Sequence, residues 1–225
     1  MKPSKLAKMI DHTNLKPDAT LEDIEKLCVE AKHYGFASVC VNPANVKLCE
    51  EFLEDSDVNI CTVISFPLGA NTPKIKFFET RDALEHGAHE IDMVMNIGAL
   101  KSGLEDVVRE DIKRVVAAAE GKIVKVIIET ALLTNNEKIQ ACKISKEEGA
   151  DFVKTSTGLG YSGATIEDVI LIREAIGPNM GIKASGGIRD LKTALDMIDS
   201  GANRIGTSSG NKIMEELQGK PDKDR

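Results

Sequence analysis

The chain has 225 residues, 42% of them hydrophobic and 29% charged, with 29 basic side chains against 36 acidic ones and a formal net charge of −7. The apolar share is too high for a disordered chain, and no stretch reaches the roughly 20 apolar residues of a membrane helix. Residues 1–12, MKPSKLAKMIDH, lack the apolar run of a secretory leader, so a cytoplasmic protein is expected. Its acidic balance excludes nucleic acid and membrane surfaces as broad partners.

Apolar, β-rich runs alternate with helical patterns along the whole chain. After a short N-terminal helix, strands are predicted over 9–11, 37–42, 59–65, 90–95, 124–129, 151–155, 181–184 and 204–206. Most are near-continuous apolar runs, as parallel strands covered on both faces require. Between them, Leu21, Ile24, Leu27 and Ala31 form a helical stripe that opens on a Thr20–Asp23 capping box and stops at Gly35. Similar stripes run through Val107, Val108, Ile112, Val115 and Val116, through Leu191, Ala194, Leu195 and Ile198, and through Ile213, Met214 and Leu217.

A repeat organises these elements. YGFASVCV, HGAHEIDMV, EGADFVKT and SGANRIGT share a helix-ending glycine, a polar link and a strand; their glycines, Gly35, Gly87, Gly149 and Gly201, are spaced 52, 62 and 52 residues apart. Each interval holds two βα units. The expected architecture is therefore one domain over 1–225, a (β/α)₈ TIM barrel with a short N-terminal helix, the alternative being an open doubly wound sheet.

The cysteines, Cys28, Cys40, Cys49, Cys61 and Cys142, are odd in number and contain no C-x-x-C pair. They read as small buried hydrophobes. His86 and His89 lack the acidic partners of a zinc motif, so no metal site is expected.

Four charges interrupt apolar strands: Asp92 in EIDMVM, Lys125 in IVKVIIE, Lys154 in DFVKTST and Lys183 in MGIKASG. Any one lysine could snorkel to the surface. Together they are harder to dismiss, because buried charges must be paired or titrate abnormally. Asp92, Lys154 and Lys183 fall near the carboxyl ends of the fourth, sixth and seventh strands, where barrel active sites are built. A second ammonium and desolvation would favour a neutral amine nucleophile, and a carboxylate can then move protons. This set reads as a Schiff-base lyase or aldolase without metal.

Ser185-Gly186-Gly187 follows the seventh strand and Gly206-Thr207-Ser208-Ser209-Gly210 the eighth, each just before a helix. Freed N–H groups, hydroxyls and helix starts make an anion cradle at the frequent phosphate position of this fold. Gly158–Gly163, GLGYSG, matches G-x-G-x-x-G, but the stretch about 20 residues on reads GIKASGG and has no acid for a ribose. It is taken as a flexible loop after the sixth strand.

VKTSTG at 153–158, KASGG at 183–187, EIDMV at 90–94, KVIIET at 125–130, IDHTNL at 10–15 and IGTSS at 205–209 resemble, in order, the motifs of the deoxyribose-phosphate aldolase family of class I, Schiff-base aldolases. The resemblance runs from about residue 6 to 217. It implies reversible cleavage of 2-deoxy-D-ribose 5-phosphate to acetaldehyde and D-glyceraldehyde 3-phosphate. By motif position, Lys154 resembles the Schiff-base lysine, Lys183 the second lysine that perturbs it, and Asp92 the acid/base acting through water. Asp11 and Cys40 match pocket positions, with Asp11 placed to hold Lys183 by charge. Thr157, Gly158, Gly186, Gly187, Gly206, Ser208 and Ser209 match substrate- and phosphate-binding positions. The resemblance further implies no cofactor, no metal, a phosphorylated sugar and an aldehyde as small-molecule partners, and a homodimer or homotetramer in the cytoplasm. The alternatives are another Schiff-base lyase, or a phospho-sugar isomerase or binding protein on the same barrel. Two departures stand out: Leu159 replaces a lysine that some members use to hold phosphate, and the terminal GKPDKDR lacks the tyrosine of some members' tails. Lower phosphate affinity is expected from the first.

Overall fold

Helix starts and stops are set locally. Thr20 Oγ1 accepts from the Asp23 N–H at 3.2 Å, and an Asp23 carboxylate oxygen accepts from the Thr20 N–H at 2.9 Å. Gly35 ends the same helix in the left-handed region, at φ 68°. A second capping box joins Thr134 and Glu137, with bonds of 2.7 and 3.3 Å. The four repeat glycines all have positive φ, 68°, 104°, 86° and 117°. Only glycine adopts such values at little cost, which is why the repeat is legible through them.

The computed structural model describes residues 1–159 and 162–219. Its elements are α1 (Pro3–Ala7), β1 (Ile10–Asn14), α2 (Leu21–Tyr34), β2 (Ser38–Val41), α3 (Val46–Leu53), β3 (Asn59–Ile64), α4 (Pro73–Glu85), β4 (Glu90–Val94), α5 (Ile97–Lys101), α6 (Glu105–Ala118), β5 (Ile123–Ile127), α7 (Asn135–Glu147), β6 (Phe152–Lys154), α8 (Ile166–Ile176), β7 (Gly181–Ser185), α9 (Leu191–Asp199), β8 (Arg204–Thr207) and α10 (Gly210–Leu217). Every strand pairs in parallel with the next, and β8 returns to β1, closing the barrel. The open-sheet alternative is thereby set aside. Among the described residues no helix is long and apolar enough to cross a membrane.

Alternation along the strands divides the interior into two regions. Outward positions such as Val39, Val41, Ile91, Met93, Val124, Val126, Ile182 and Ile205 form one apolar cluster with the helices, through Ile24, Ile112, Val115 and Ile172. Burying each such side chain contributes about 1.5–3 kcal/mol. The inward positions form the bore, and the bore is two-sided. Leu15, Cys40, Cys61 and Val63, with Phe66 against them, make an apolar wall on the β1–β3 side. Glu90, Asp92, Lys125, Lys154 and Lys183 are buried on the β4–β7 side. All five cysteines are free and buried, as expected of small hydrophobes.

Candidate active site

Asp92 is the hub of the bore. Its Oδ2 accepts from Lys154 Nζ at 2.8 Å and Lys183 Nζ at 2.7 Å, while Oδ1 accepts from Lys125 Nζ at 2.8 Å. The register explains the convergence: Asp92 faces Lys125 across β4–β5, and Lys154 faces Lys183 across β6–β7. A carboxylate thus stands between the two lysines that the sequence places side by side. A lower layer supports it. Lys125 also meets Glu90 at 2.6 Å, and Lys183 meets Asp11 at 2.6 Å. Arg204 joins Asp11 at 2.6 Å and Glu90 at 3.2 Å.

The charge states follow from this packing. Burial alone would raise the Asp92 carboxyl, but Lys125, Lys154 and Lys183 overcome it and hold Asp92 well below the usual carboxylate range. Asp11 is likewise held low, burial being outweighed by Lys183, Lys125 and Arg204. Burial would push Lys183 down, yet Asp11 and Asp92 keep it above the ordinary lysine range; Lys125 is raised in the same way, by Asp92 foremost. The bore therefore keeps Asp11 and Asp92 ionised and Lys183 and Lys125 charged. Three acids, Asp11, Glu90 and Asp92, face four bases, Lys125, Lys154, Lys183 and Arg204. Of these bases, Lys154 is the one that lines the open cleft.

Because Asp11 is depressed, its contribution to stability is present above pH 4 and lost as pH falls through its native titration. Asp11→Asn is expected to cost about 3 kcal/mol at pH 7. In urea unfolding, the gap between variant and parent should narrow steadily below pH 4; a gap independent of pH would show that the charge is not what Asp11 contributes.

The cleft above the hub has a volume of about 490 Å³, within the range of small-ligand sites. Its lining brings together Lys154, Thr157, Gly158, Gly186, Gly187, Gly206 and Ser208 of the expected residues. Asp11, Asp92, Lys183 and Cys40 lie fully buried beneath it. Ser209 stands at the N-cap of α10, its N–H donating to Thr207 Oγ1 at 2.9 Å, and is not part of the lining. Leu159 does line the cleft, but so do Lys16, Lys26 and Arg189. These supply positive charge that Leu159 does not. Cys40 shares a hydrogen bond with Cys61, which lowers its thiol to about 7 while burial and that bond raise Cys61.

The GLGYSG segment has a different use from nucleotide binding. Ala164 N–H donates to the Ser185 and Gly186 carbonyls at 3.0 and 3.2 Å. A Cβ on Gly163 would collide with the Gly186 backbone, so the β6 and β7 loops meet backbone to backbone at a glycine seam. Gly160 and Tyr161, and the tail from residue 220, lie outside the described residues, as does the expectation attached to each.

Several contributors escape a reading of motifs. Glu90 and Arg204 sit at strand starts, where charges are ordinarily solvated; the clue is that Glu90 is two residues from Asp92 and shares its face. Glu129, just after β5 at φ 52°, accepts from the Thr157 N–H at 3.1 Å and hydroxyl at 2.5 Å, fixing the loop beside Lys154. Cys40, Cys61 and Asp92 bring donor atoms within 4.8 Å, as do Asp11, Cys61 and Glu90, the only such groups near the bore among the described residues. Both Asp92 oxygens are already held by ammonium groups, so a cation there would have to displace a lysine.

An amine at the floor of a cleft lined by glycine-rich loops, bonded to a carboxylate that it shares with a second lysine, fits a lysine-dependent carbon–carbon lyase on a (β/α)₈ barrel. Comparison with known proteins narrows this. Residues 5–216 match the DeoC/LacD family aldolase. The chain is 61% identical over 214 residues to the deoxyribose-phosphate aldolase of Streptococcus suis, covering 95% of this chain and 97% of that one. It is 62% identical over 212 residues to that of Clostridium tetani, covering 94% and 98%. The tetrameric deoxyribose phosphate aldolase structure from Aeropyrum pernix superposes with a TM-score of 0.90 at 36% identity, covering 96% of this chain and 92% of that one. The chain belongs to the DeoC/LacD aldolase family.

Proposed function

We propose that the chain cleaves 2-deoxy-D-ribose 5-phosphate reversibly to D-glyceraldehyde 3-phosphate and acetaldehyde through a Schiff base on Lys154. The observation that carries this is the placement of Lys154: 2% exposed, lining the cleft, and bonded to the carboxylate it shares with Lys183. In this reading the Lys154 amine adds to the substrate C1 aldehyde and expels water, leaving a protonated imine. The C2–C3 bond then breaks, its electron pair passing to the imine nitrogen as an enamine, while the C3 hydroxyl gives its proton to Asp92 directly or through a water. D-Glyceraldehyde 3-phosphate leaves. The same carboxyl returns a proton to C2, and water hydrolyses the imine to acetaldehyde and free Lys154.

Lys183 and Lys125 keep Asp92 in place and ionised before each cycle, and Asp11 anchors Lys183 from below. Thr157, Gly158, Gly186, Gly187, Gly206 and Ser208 receive the phosphate end, with Lys16, Lys26 and Arg189 adding charge and Ser209 ordering the start of α10. Cys40 belongs to the apolar wall facing the two-carbon donor. The family relationship and the free, buried cysteines support a cytoplasmic enzyme formed by one domain over 1–225, and the tetrameric relative supports a homodimer or homotetramer.

Sodium borohydride added with acetaldehyde traps the imine. The expected result is an ethyl adduct on the peptide holding Lys154, found by mass mapping; an unmodified peptide would sink the reading. Turnover of deoxyribose 5-phosphate in the same preparation tests the substrate, since a lyase built for another phospho-sugar would leave it untouched.

A further inference from the structure

Two buried side-chain atoms in residues lining the cleft have no hydrogen-bond partner among the described residues: His12 Nδ1 and Ser185 Oγ. His12 lies on the outer face of β1. Its ring packs 5.2 Å from that of Phe36, and its Nε2 meets Glu30 at 2.7 Å. Ser185 is placed differently. It follows Lys183 by two residues on β7 and so shares the bore-facing side, with only 4% of its surface exposed. Its main chain is committed: the N–H donates to Thr155 Oγ1 at 3.1 Å, and the carbonyl accepts from the Ala164 N–H at 3.0 Å. Only the hydroxyl is unused.

Gly206 on β8 explains where that hydroxyl sits. A Cβ at this position would collide with Ser185 Oγ and stand 3.0 Å from Lys183 Cε. The space that a side chain at 206 would fill is thus occupied by the hydroxyl and by the Lys183 stem. Along β7 the order is Lys183, bonded to the Asp92 carboxylate that it shares with Lys154, then Ser185 above it, then Gly186 and Gly187, which the proposed function gives to the phosphate. Deoxyribose 5-phosphate has the same order: the cleaved C2–C3 bond, then C4 with its hydroxyl, then the phosphate on C5. A buried hydroxyl without a partner is costly unless a ligand completes it.

We propose that Ser185 Oγ hydrogen-bonds the C4 hydroxyl of the sugar phosphate, the group that becomes the 2-hydroxyl of the acceptor aldehyde, and so selects hydroxylated acceptors. This rests on the substrate reading above. The site is a specificity element, separate from the Lys154 amine chemistry and from the phosphate cradle.

The test runs the reaction towards synthesis, with acetaldehyde as donor and two acceptors, D-glyceraldehyde 3-phosphate and 3-oxopropyl phosphate, which lacks the 2-hydroxyl. In Ser185→Ala the ratio of kcat/KM between the acceptors is expected to fall about tenfold, the scale of one hydrogen bond, with the change in the KM of the hydroxylated acceptor. An equal loss on both acceptors, or an unchanged ratio, overturns the proposal. Borohydride trapping with acetaldehyde alone should still label Lys154 in the variant; loss of the label would place Ser185 in the amine chemistry and overturn it too. If the folded parent protein joins acetaldehyde to neither acceptor, the substrate reading itself fails, and this inference with it.

Discussion

Lys154→Ala is expected to lower kcat/KM for deoxyribose 5-phosphate by about 10⁴ to 10⁶, the range seen when a covalent nucleophile is removed. The borohydride adduct should vanish with it. The bore makes a second, less obvious forecast. Lys154 is the fourth base against three acids, and Asp92 keeps Lys125 and Lys183 after it is gone. The variant should melt within about 3 °C of the parent, because no hydrogen-bond acceptor in the hub is left bare. Thermal melting alongside steady-state assay separates the two effects; a large drop in Tm would mean that Lys154 carries structure as well as chemistry.

Asp92→Asn is expected to do the opposite on stability. The amide keeps the shape of the carboxylate but loses the charge that three lysines share at 2.7–2.8 Å. Lys125 retains Glu90 and Lys183 retains Asp11, so the bore is not left without acids. Breaking such a buried network costs about 3–5 kcal/mol, or on the order of 10 °C in Tm for a chain of this size. Activity should fall by about 10³, the middle of the range for losing a general acid–base group. Borohydride trapping is the discriminating measurement: the imine can still form slowly on Lys154, so an adduct should persist while turnover collapses. An Asp92→Asn protein as stable as the parent would show that the lysines do not depend on that charge.

How much of this was readable beforehand depends on the physics of each residue. Strand positions came within a few residues because outward faces are apolar, and the quarter repeat stood out because its glycines need positive φ. The sequence pattern predicts the first strand over 9–11, whereas it spans Ile10–Asn14. His12, Thr13 and Asn14 are polar because they border the cleft, and polar residues near a barrel mouth look like a loop. The apolar run predicts a fifth strand to residue 129, yet its regular ladder ends at Ile127 while bonds from Ile128 and Thr130 continue towards β6. Lys154, Lys183 and Asp92 were legible as charges in apolar runs. Their sharing of one carboxylate was not, since register across β4–β7 is a property of closure. Lys125 carried the same signal as the other lysines, but its contacts place it beneath the cleft, pinned by Glu90 and Asp92. Ser185 reads in the sequence only as part of the anion cradle with Gly186 and Gly187; its separate place shows in the structure, where its buried hydroxyl lacks a partner among the described residues.

The glycine seam joining the loops after β6 and β7 has a mechanical consequence. One loop follows Lys154 and the other follows Lys183, and the two backbones touch with no side chain between them. A phosphate that orders either loop must therefore order both. In the proposed reaction, substrate capture at the rim and alignment of the Lys154 amine at the floor then become one event.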